Sequence, residues 1–399
     1  MTGLLALPFA FAGLAVLAIV VFFVAEIGAS FFYRAPEPPK AGPRGRLAVV
    51  IPAHNEEAGV GATVRLAREG LAAGDLVLVV ADNCSDATAA AARAAGAEVV
   101  ERQDAVHRGK GFALQAGVDH LRADPPETIV FLDADCAPRA GGIDRIARLA
   151  IERQRPVQAL YLARPAAEAG PASSVSAFAW LVINRVRMTG LQAMGGFSRL
   201  TGSGMAFPWD LVADRKLASG EIVEDLALTL SLIEAGAAPM LDTGAVIESD
   251  LARSASGAAT QRARWELGSL RLAARRAGSL FIEGVSGDLK ALLMAADLLV
   301  PPLTVLLAVI AAGFVLAVPL AAAGHWSALT LFWDAGILFT GALAVAWFAY
   351  GRAVLPPAAL RGLGAYLVSK LRVYGGEGRK SAKGWTRTDR GSDRSDPGQ

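Results

Sequence analysis

Residues 127–138 read Glu-Thr-Ile-Val-Phe-Leu-Asp-Ala-Asp-Cys-Ala-Pro, a short apolar run that passes directly into two carboxylates, Asp133 and Asp135, separated by one alanine. An unbroken apolar run of this length is expected of a strand buried on both faces. In extended chain, side chains at i and i+2 point the same way, so the two carboxylates are expected to project together from the strand's end. Two like charges that close favour a proton or a bound cation. An isolated pair of this kind is equally at home in a solvated acidic turn, which Pro138 would help to form.

The same alternation of apolar run and polar cluster recurs upstream. Leu47-Ala48-Val49-Val50-Ile51 precedes the cluster at 52–57, from which a helical stretch is expected over 55–68. Leu76-Val77-Leu78-Val79-Val80 precedes Asp82-Asn83-Cys84-Ser85-Asp86 and an alanine-rich helix, and Glu98-Val99-Val100 adds another strand. Strands alternating with helices imply an α/β domain with a mostly parallel sheet and helices on both faces. Ligands bind such sheets at the carboxyl ends of the strands, so 52–57, 82–86 and 133–135 are expected to converge on one crevice. Further on, 173–194 reads as helix, 200–205 as a loop of small residues, and 221–226 as the start of another helix.

Composition places the chain at a membrane. Of its 399 residues 53% are hydrophobic and the mean hydropathy is +0.40, high for a soluble protein. Residues 1–25 carry no charge and are long enough to cross a bilayer, as are 298–323 and 328–350, the latter broken only by Asp334. The first run lacks the basic start of a cleaved signal and reads as a retained anchor. Pro301, Pro302 and Pro319 are expected to kink the second. Arg34, Lys40, Arg44 and Arg46 follow the first run, Lys290 precedes the second, and Arg352, Arg361, Lys370 and Arg372 follow the third, whereas 324–327 has no Lys or Arg. The positive-inside rule then puts 34–290 and the tail on the cytoplasmic side of a bacterial inner membrane in a multi-pass arrangement. The organisation expected is an anchor at 1–32, a linker at 33–46, a catalytic domain at 47–280, two spans within 281–350, an interface helix at 351–375 and a basic tail at 376–399. The net charge of +2 gives no case for nucleic acid, and the two cysteines, Cys84 and Cys136, form no metal or redox spacing.

A crevice lined with aspartates can hold a divalent cation, and Mg²⁺ or Mn²⁺ prefers such hard oxygen ligands while bridging a diphosphate. Lys110, between glycines before a helix, suits a phosphate contact, though a solvated surface lysine has the same look. Glu224-Asp225 can be a general base or simply acidic residues favourable at a helix start. Gln261, Arg264 and Trp265 combine an amide, a guanidinium and an indole, or form the basic edge of an amphipathic helix.

In order along 45–275, Ile51-Pro52-Ala53-His54-Asn55-Glu56-Glu57, 82–88, Gly109-Lys110-Gly111, Asp133-Ala134-Asp135, Thr201-Gly202-Ser203-Gly204, Glu224-Asp225 and Gln261-x-x-Arg264-Trp265 resemble the membrane-bound glycosyltransferases of family 2, in particular the cellulose, chitin, hyaluronan and poly-N-acetylglucosamine synthases. The resemblance implies a GT-A fold, a Rossmann-like nucleotide-sugar-binding domain flanked by transmembrane helices, and inverting transfer from a nucleotide-sugar, expected to be a UDP-sugar, to a glycan in polysaccharide synthesis. By motif, Pro52, Glu56 and Asp82 would hold the uridine, Lys110 the diphosphate, and Asp133 with Asp135 the Mg²⁺ or Mn²⁺. Asp225 would be the base; Gln261, Arg264 and Trp265 would lie between nucleotide and acceptor; Gly202, Ser203, Gly204 and Glu224 would meet the acceptor. Trp385, Arg387 and Thr388 resemble the gating loop of such synthases, following an interface helix over 357–373. Three spans are few for a polymer channel, so a processive enzyme would need an oligomer or a partner subunit. Addition of one sugar to a membrane lipid is the alternative, and a non-catalytic nucleotide-binding scaffold a third reading.

Overall fold

The computed structural model of the chain describes residues 2–40, 42–165, 170–218, 223–251 and 255–367, without the side chains of 2–5 and 255–263. Eight strands form one sheet: β1 (Leu47–Ala53), β2 (Leu76–Asp82), β3 (Glu98–Arg102), β4 (Thr128–Phe131), β5 (Cys136–Pro138), β6 (Val157–Arg164), β7 (Met205–Pro208) and β8 (Met240–Asp250). Their spatial order is β3-β2-β1-β4-β7-β6-β8-β5. The helices in chain order are α1 (Thr2–Ser30), α2 (Val60–Arg68), α3 (Thr88–Ala94), α4 (Lys110–Leu121), α5 (Gly142–Arg153), α6 (Pro171–Leu181), α7 (Met188–Gly195), α8 (Glu224–Glu234), α9 (Ala255–Val285), α10 (Leu289–Leu299), α11 (Leu303–Ala322) and α12 (Ser327–Ala346).

The half of the sheet that begins the domain is parallel, as the alternation requires, with Val50 beside Leu78 and Phe131. Alternate residues of each apolar run serve opposite faces. Val49, Ile51, Val77, Val79 and Val130 pack under α2 and α5, whereas Val50, Leu78, Val80, Ile129 and Phe131 pack under α4. This is why the runs are continuous rather than alternating. Gly117 lets α4 lie close, since a Cβ there would stand 2.7 Å from Val50 Cγ1.

The other half is mixed, which narrows the expectation of a mostly parallel sheet. β7 runs antiparallel to both β4 and β6, β6 parallel to β8, and β5 antiparallel to β8 at the edge. The cause is local. β7 follows directly on the loop 201–204, which lies at the carboxyl end of β4, so it can only run back the other way.

Two helix boundaries differ from expectation. The helix expected from Asn55 starts at Val60, because Asn55 is left-handed (φ 54°) and the backbone N–H groups of Asn55, Glu56 and Glu57 bond across to Cys84, Thr88 and Asp86. The expected span 298–323 is two helices. Two consecutive prolines cannot supply backbone N–H groups, so α10 ends at Leu299 and α11 begins at Leu303, while Pro319 is accommodated inside α11.

Three helical stretches, Ala6–Ser30, Leu303–Ala322 and Ser327–Gly351, are long and apolar enough to cross a membrane. α1 packs against α12, with Phe23 and Phe339 ring centroids 5.5 Å apart, and α12 packs against α11. α6 and α7 are joined by a π-helical turn, Val182–Arg187, as one continuous helical stretch that lies against α1. A buried cluster ties these parts together: Arg187 donates to Glu26 of α1 (2.6 Å) and to Asp297 of α10 (2.8 Å), and Arg199 lies 3.3 Å from Asp297. Gly190 permits the approach, for a Cβ there would overlap the Glu26 carbonyl. After α12 the chain turns at 352–356 and becomes helical again, as a 3₁₀ turn over Pro357–Gly362 and on to 367; the rest of the expected interface helix, and the expected gating residues Trp385, Arg387 and Thr388, lie outside the described residues.

Candidate active site

The carboxyl ends of β1, β2 and β4 carry the three polar clusters as expected, and the first two are laced together. Asn55 and Asn83 both take left-handed backbone (φ 54° and 52°), which asparagine tolerates better than other non-glycine residues. Asn55 Oδ1 accepts from the Ser85 N–H (2.8 Å), and Thr88 Oγ1 accepts from the Glu56 N–H (2.8 Å). Pro52 sits in β1 beside Val80, and the His54 ring meets the Asp82 carbonyl at 2.7 Å.

Asp82, at the end of β2, is buried and held on one side. Its Oδ1 accepts from Arg102 Nη1 (2.6 Å) and Asn83 Nδ2 (3.0 Å), while Oδ2 has no donor among the described residues. Arg102 also reaches Asp104 (3.0 Å) and lies over the Phe112 ring at 5.7 Å. Asp104 accepts from the His107 and Val106 N–H groups and from the His107 ring, which hold its carboxyl down at about 2. This ordered turn leads into Lys110. Arg102 and Asp104 were not legible as site residues, because each contributes through neighbours at a strand end rather than through a motif of its own.

Asp133 and Asp135 do not extend β4, which ends at Phe131; they lie in the turn before β5. The turn still brings them together: donor atoms of Asp133, Asp135 and Cys136 all lie within 4.8 Å of one another. The Asp133 N–H donates to Ser203 Oγ (3.0 Å), and Ser203 Oγ in turn donates to Cys136 Sγ at 3.1 Å. Two carboxylates at this spacing fit a divalent cation with oxygen preference, with the buried thiol as a softer neighbour.

Lys110, the first residue of α4, joins this pair to the loop 201–204 and to α8. Its Nζ lies 2.5 Å from Asp133 Oδ1, 3.7 Å from Glu224 Oε1, and donates to the Gly202 carbonyl at 2.8 Å. Burial alone would lower the pKa of this ammonium, but Asp133, Glu224 and Asp225 outweigh it and raise it above its ordinary value. The acids respond in turn. Burial pushes the Glu224 carboxyl up to about 7 against the pull of Lys110, and raises that of Asp225 likewise.

The loop itself is fixed from below. Gln158, fully buried on β6, donates to the Ser203 carbonyl (2.8 Å) and accepts from the Thr201 N–H (2.9 Å). Gly202 has φ +84°, and a Cβ there would stand 3.2 Å from Lys110 Nζ and 3.4 Å from Asp225 Oδ2. Gly204 has φ +70° and no room beside Ile247 and Ala159. Asp225 Oδ1 accepts from the Leu226 N–H (2.8 Å), so the oxygen nearest the loop is Oδ2.

The segment 261–265 falls within α9. Gln261 is on its backbone with a side chain outside the described set, and Arg264 lies one residue before Trp265. Trp265 joins an aromatic file that ends at the turn carrying Asp133 and Asp135: its ring is 5.0 Å from Trp180, Trp180 is edge-on to Tyr161 at 5.3 Å, and the Tyr161 hydroxyl lies 3.6 Å from Cys136 Sγ. Trp180 and Tyr161 had no signal in the sequence beyond being aromatic.

Residues 43–268 match the model of the family described as "Glycosyltransferase like family 2". A comparison with curated protein sequences returned no match. Among solved structures, the chain is similar to the mannosyltransferase PcManGT from Pyrobaculum calidifontis, determined with GDP-Man and Mn²⁺, at 17% identity and TM-score 0.55, covering 87% of this chain and 98% of that one. Glucosyl-3-phosphoglycerate synthase from Mycobacterium tuberculosis, determined with Mn²⁺, UDP and phosphoglyceric acid, matches at 22% identity and TM-score 0.35 over 52% of this chain and 69% of its own. The first of these likenesses supports the GT-A fold, and the family match covers more than half the chain. The chain belongs to glycosyltransferase family 2 and is a glycosyltransferase.

Proposed function

We propose that the protein is a membrane-embedded, inverting glycosyltransferase that moves one sugar unit at a time from a UDP-sugar to a hydroxyl acceptor in polysaccharide assembly. The observation that carries this is the convergence on Lys110 of the Asp133 carboxylate, the Gly202 carbonyl and Glu224, which joins a cation-binding turn, an acceptor-side loop and a pair of candidate bases at one point. Asp133 and Asp135 would hold Mg²⁺ or Mn²⁺, which supplies charge neutralisation to the donor's diphosphate. Lys110 then exchanges its contact with Asp133 for the phosphate oxygens. Asp225, with Oδ2 toward the Gly202 loop, would take the proton of the acceptor hydroxyl as that oxygen attacks the sugar's anomeric carbon, whose bond to the diphosphate oxygen breaks, and UDP would leave with its charge offset by Lys110 and Arg264. Arg264, Gln261 and Trp265 would complete the wall between donor and acceptor, and Ser203 and Gly204 the rest of the acceptor loop.

Uracil as the donor's base is supported by Asp82. With Oδ1 filled by Arg102 and Asn83, one oxygen remains to accept, which suits the single N–H of uracil's pairing edge; guanine presents two adjacent donors and calls for both oxygens. The lipid-acceptor reading is favoured by the spans. The three helices of spanning length among the described residues are too few by themselves to enclose a polymer channel, and they suffice to hold an enzyme beside a lipid substrate.

The test is nucleotide release by purified protein in nanodiscs with UDP- and GDP-sugars, with Mn²⁺ or Mg²⁺ and after EDTA, and with products weighed by mass spectrometry. Metal-dependent release from a UDP-sugar is expected; a ladder of sugars marks polymer synthesis and a single addition a lipid acceptor. Release that is indifferent to EDTA would remove the metal from the mechanism.

A further inference from the structure

A cavity of about 400 Å³ opens where the chain leaves α1, lined by Arg34, Pro36, Arg153, Arg155, Gln192 and Met240. Met240 begins β8 and Arg155 precedes β6 by two residues, so the cavity lies at the amino ends of these strands, opposite the site built around Lys110. Its lining holds three guanidiniums and no carboxylate. Arg34 is exposed and makes no ion pair with the described residues. Arg153 has only its exposed sequence neighbour Glu152, at 3.5 Å, and that carboxylate also accepts from the Lys40 N–H. Arg155 donates through Nε and Nη2 to the carbonyls of Ala238, Gly196 and Pro239, leaving Nη1 without a partner among the described residues. Burial without an anion beside it lowers its pKa. A half-buried guanidinium such as that of Arg155 is ordinarily matched by an anion, and here the lining supplies none.

The walls are built rather than incidental. The Tyr33 hydroxyl donates to the Leu241 carbonyl (3.1 Å), Arg145 Nη2 donates to the Pro36 carbonyl (3.0 Å), and Gln192 Oε1 accepts from the Leu241 N–H (2.8 Å). Position then selects among anions. Arg34 comes four residues after the end of α1, and between them Phe31 and Phe32 are 53% and 80% exposed, as side chains seated in the edge of a bilayer would be. A cationic cavity just beyond that edge stands at the depth of lipid phosphates.

We propose that this cavity binds the phosphate-bearing headgroup of an anionic membrane lipid, with Arg34, Arg153 and Arg155 as its cationic lining. The inference rests on α1 crossing the membrane, and it concerns a structural lipid, since the cavity is at the far end of the sheet from the transfer site. The test uses the full chain in nanodiscs of phosphatidylcholine with and without phosphatidylglycerol, released into detergent for native mass spectrometry to count the lipids that stay bound. Wild type is expected to retain phosphatidylglycerol in preference to phosphatidylcholine. Arg34→Gln and Arg153→Gln, both at exposed positions and so without cost to the fold, are expected to weaken that retention roughly fivefold each, with UDP binding unchanged. Equal retention in the double variant overturns the proposal. So does protection of wild type by inorganic phosphate with no lipid preference, which would make free phosphate the ligand. A chain that leaves the membrane without detergent would overturn the membrane reading as well, and is told apart from the other outcomes by fractionation alone.

Discussion

Lys110 holds two sides of the site in one grip, and the residues around it make the sharpest expectations. Asp225→Asn keeps the shape and hydrogen bonding of α8's first turn but cannot take a proton, so transfer should fall by about 10²–10⁴-fold while UDP affinity stays the same; equal turnover in the variant would return the base role to Glu224. Gly202→Ala strains a left-handed residue by about 1–2 kcal/mol and sets a methyl against Lys110 and Asp225, so it should depress turnover with little change in UDP binding. Glu224 has a pH signature. A carboxyl pushed up to about 7 on folding ionises later in the native chain than in the unfolded one, so the stability it confers is full below its unfolded pKa and is lost as pH rises through about 7. As the medium is taken from about pH 5 to about pH 8, the thermal midpoint of wild type should therefore drop by more than that of Glu224→Gln. Asp133, Asp135, Lys110 and Asp225 could be picked out of the sequence because each sits in a short ordered pattern. Arg102 and Gln158 could not, since an arginine that fills one oxygen of a neighbour's carboxylate, or a glutamine that braces a loop from beneath, is defined by its contacts and not by its spacing.

At the scale of elements, the strands were legible because burial on both faces writes an unbroken apolar run, whereas helix ends were not, because they are set by partners distant in sequence. The start of α2 is displaced by hydrogen bonds to 84–88, and the break between α10 and α11 by two prolines whose effect on a span, kink or stop, depends on what surrounds them. The junction of α1, the π-helical turn and α10 depends on four charges that balance in pairs, Arg187 and Arg199 against Glu26 and Asp297. Removing one partner strands a buried charge, at a cost of about 3–5 kcal/mol. Arg187→Met should thus lower the yield of monodisperse protein and its thermal midpoint, and adding Glu26→Gln should recover part of the loss by restoring neutrality. If the single variant is as stable as wild type, the cluster is not what joins these helices.

For the whole molecule, the expectation is firm attachment: the chain should stay with membranes through high-salt and alkaline washes and come free only in detergent, given three helical stretches of spanning length. Its catalytic layers sit between the first of those helices and the other two in the chain, yet α1 and α12 are neighbours, meeting at Phe23 and Phe339. That arrangement has a consequence for biosynthesis. α1 leaves the ribosome before the sheet and α12 after it, with all eight strands made in between. With α1 in the membrane, as proposed, the sheet would fold while tethered to a helix that has met α7 but not yet α11 or α12, and insertion of that closing hairpin would seal the molecule. A ribosome stalled before α11 should thus carry a chain already able to bind nucleotide, but one whose anchor can still be drawn from the bilayer more easily than in the finished protein.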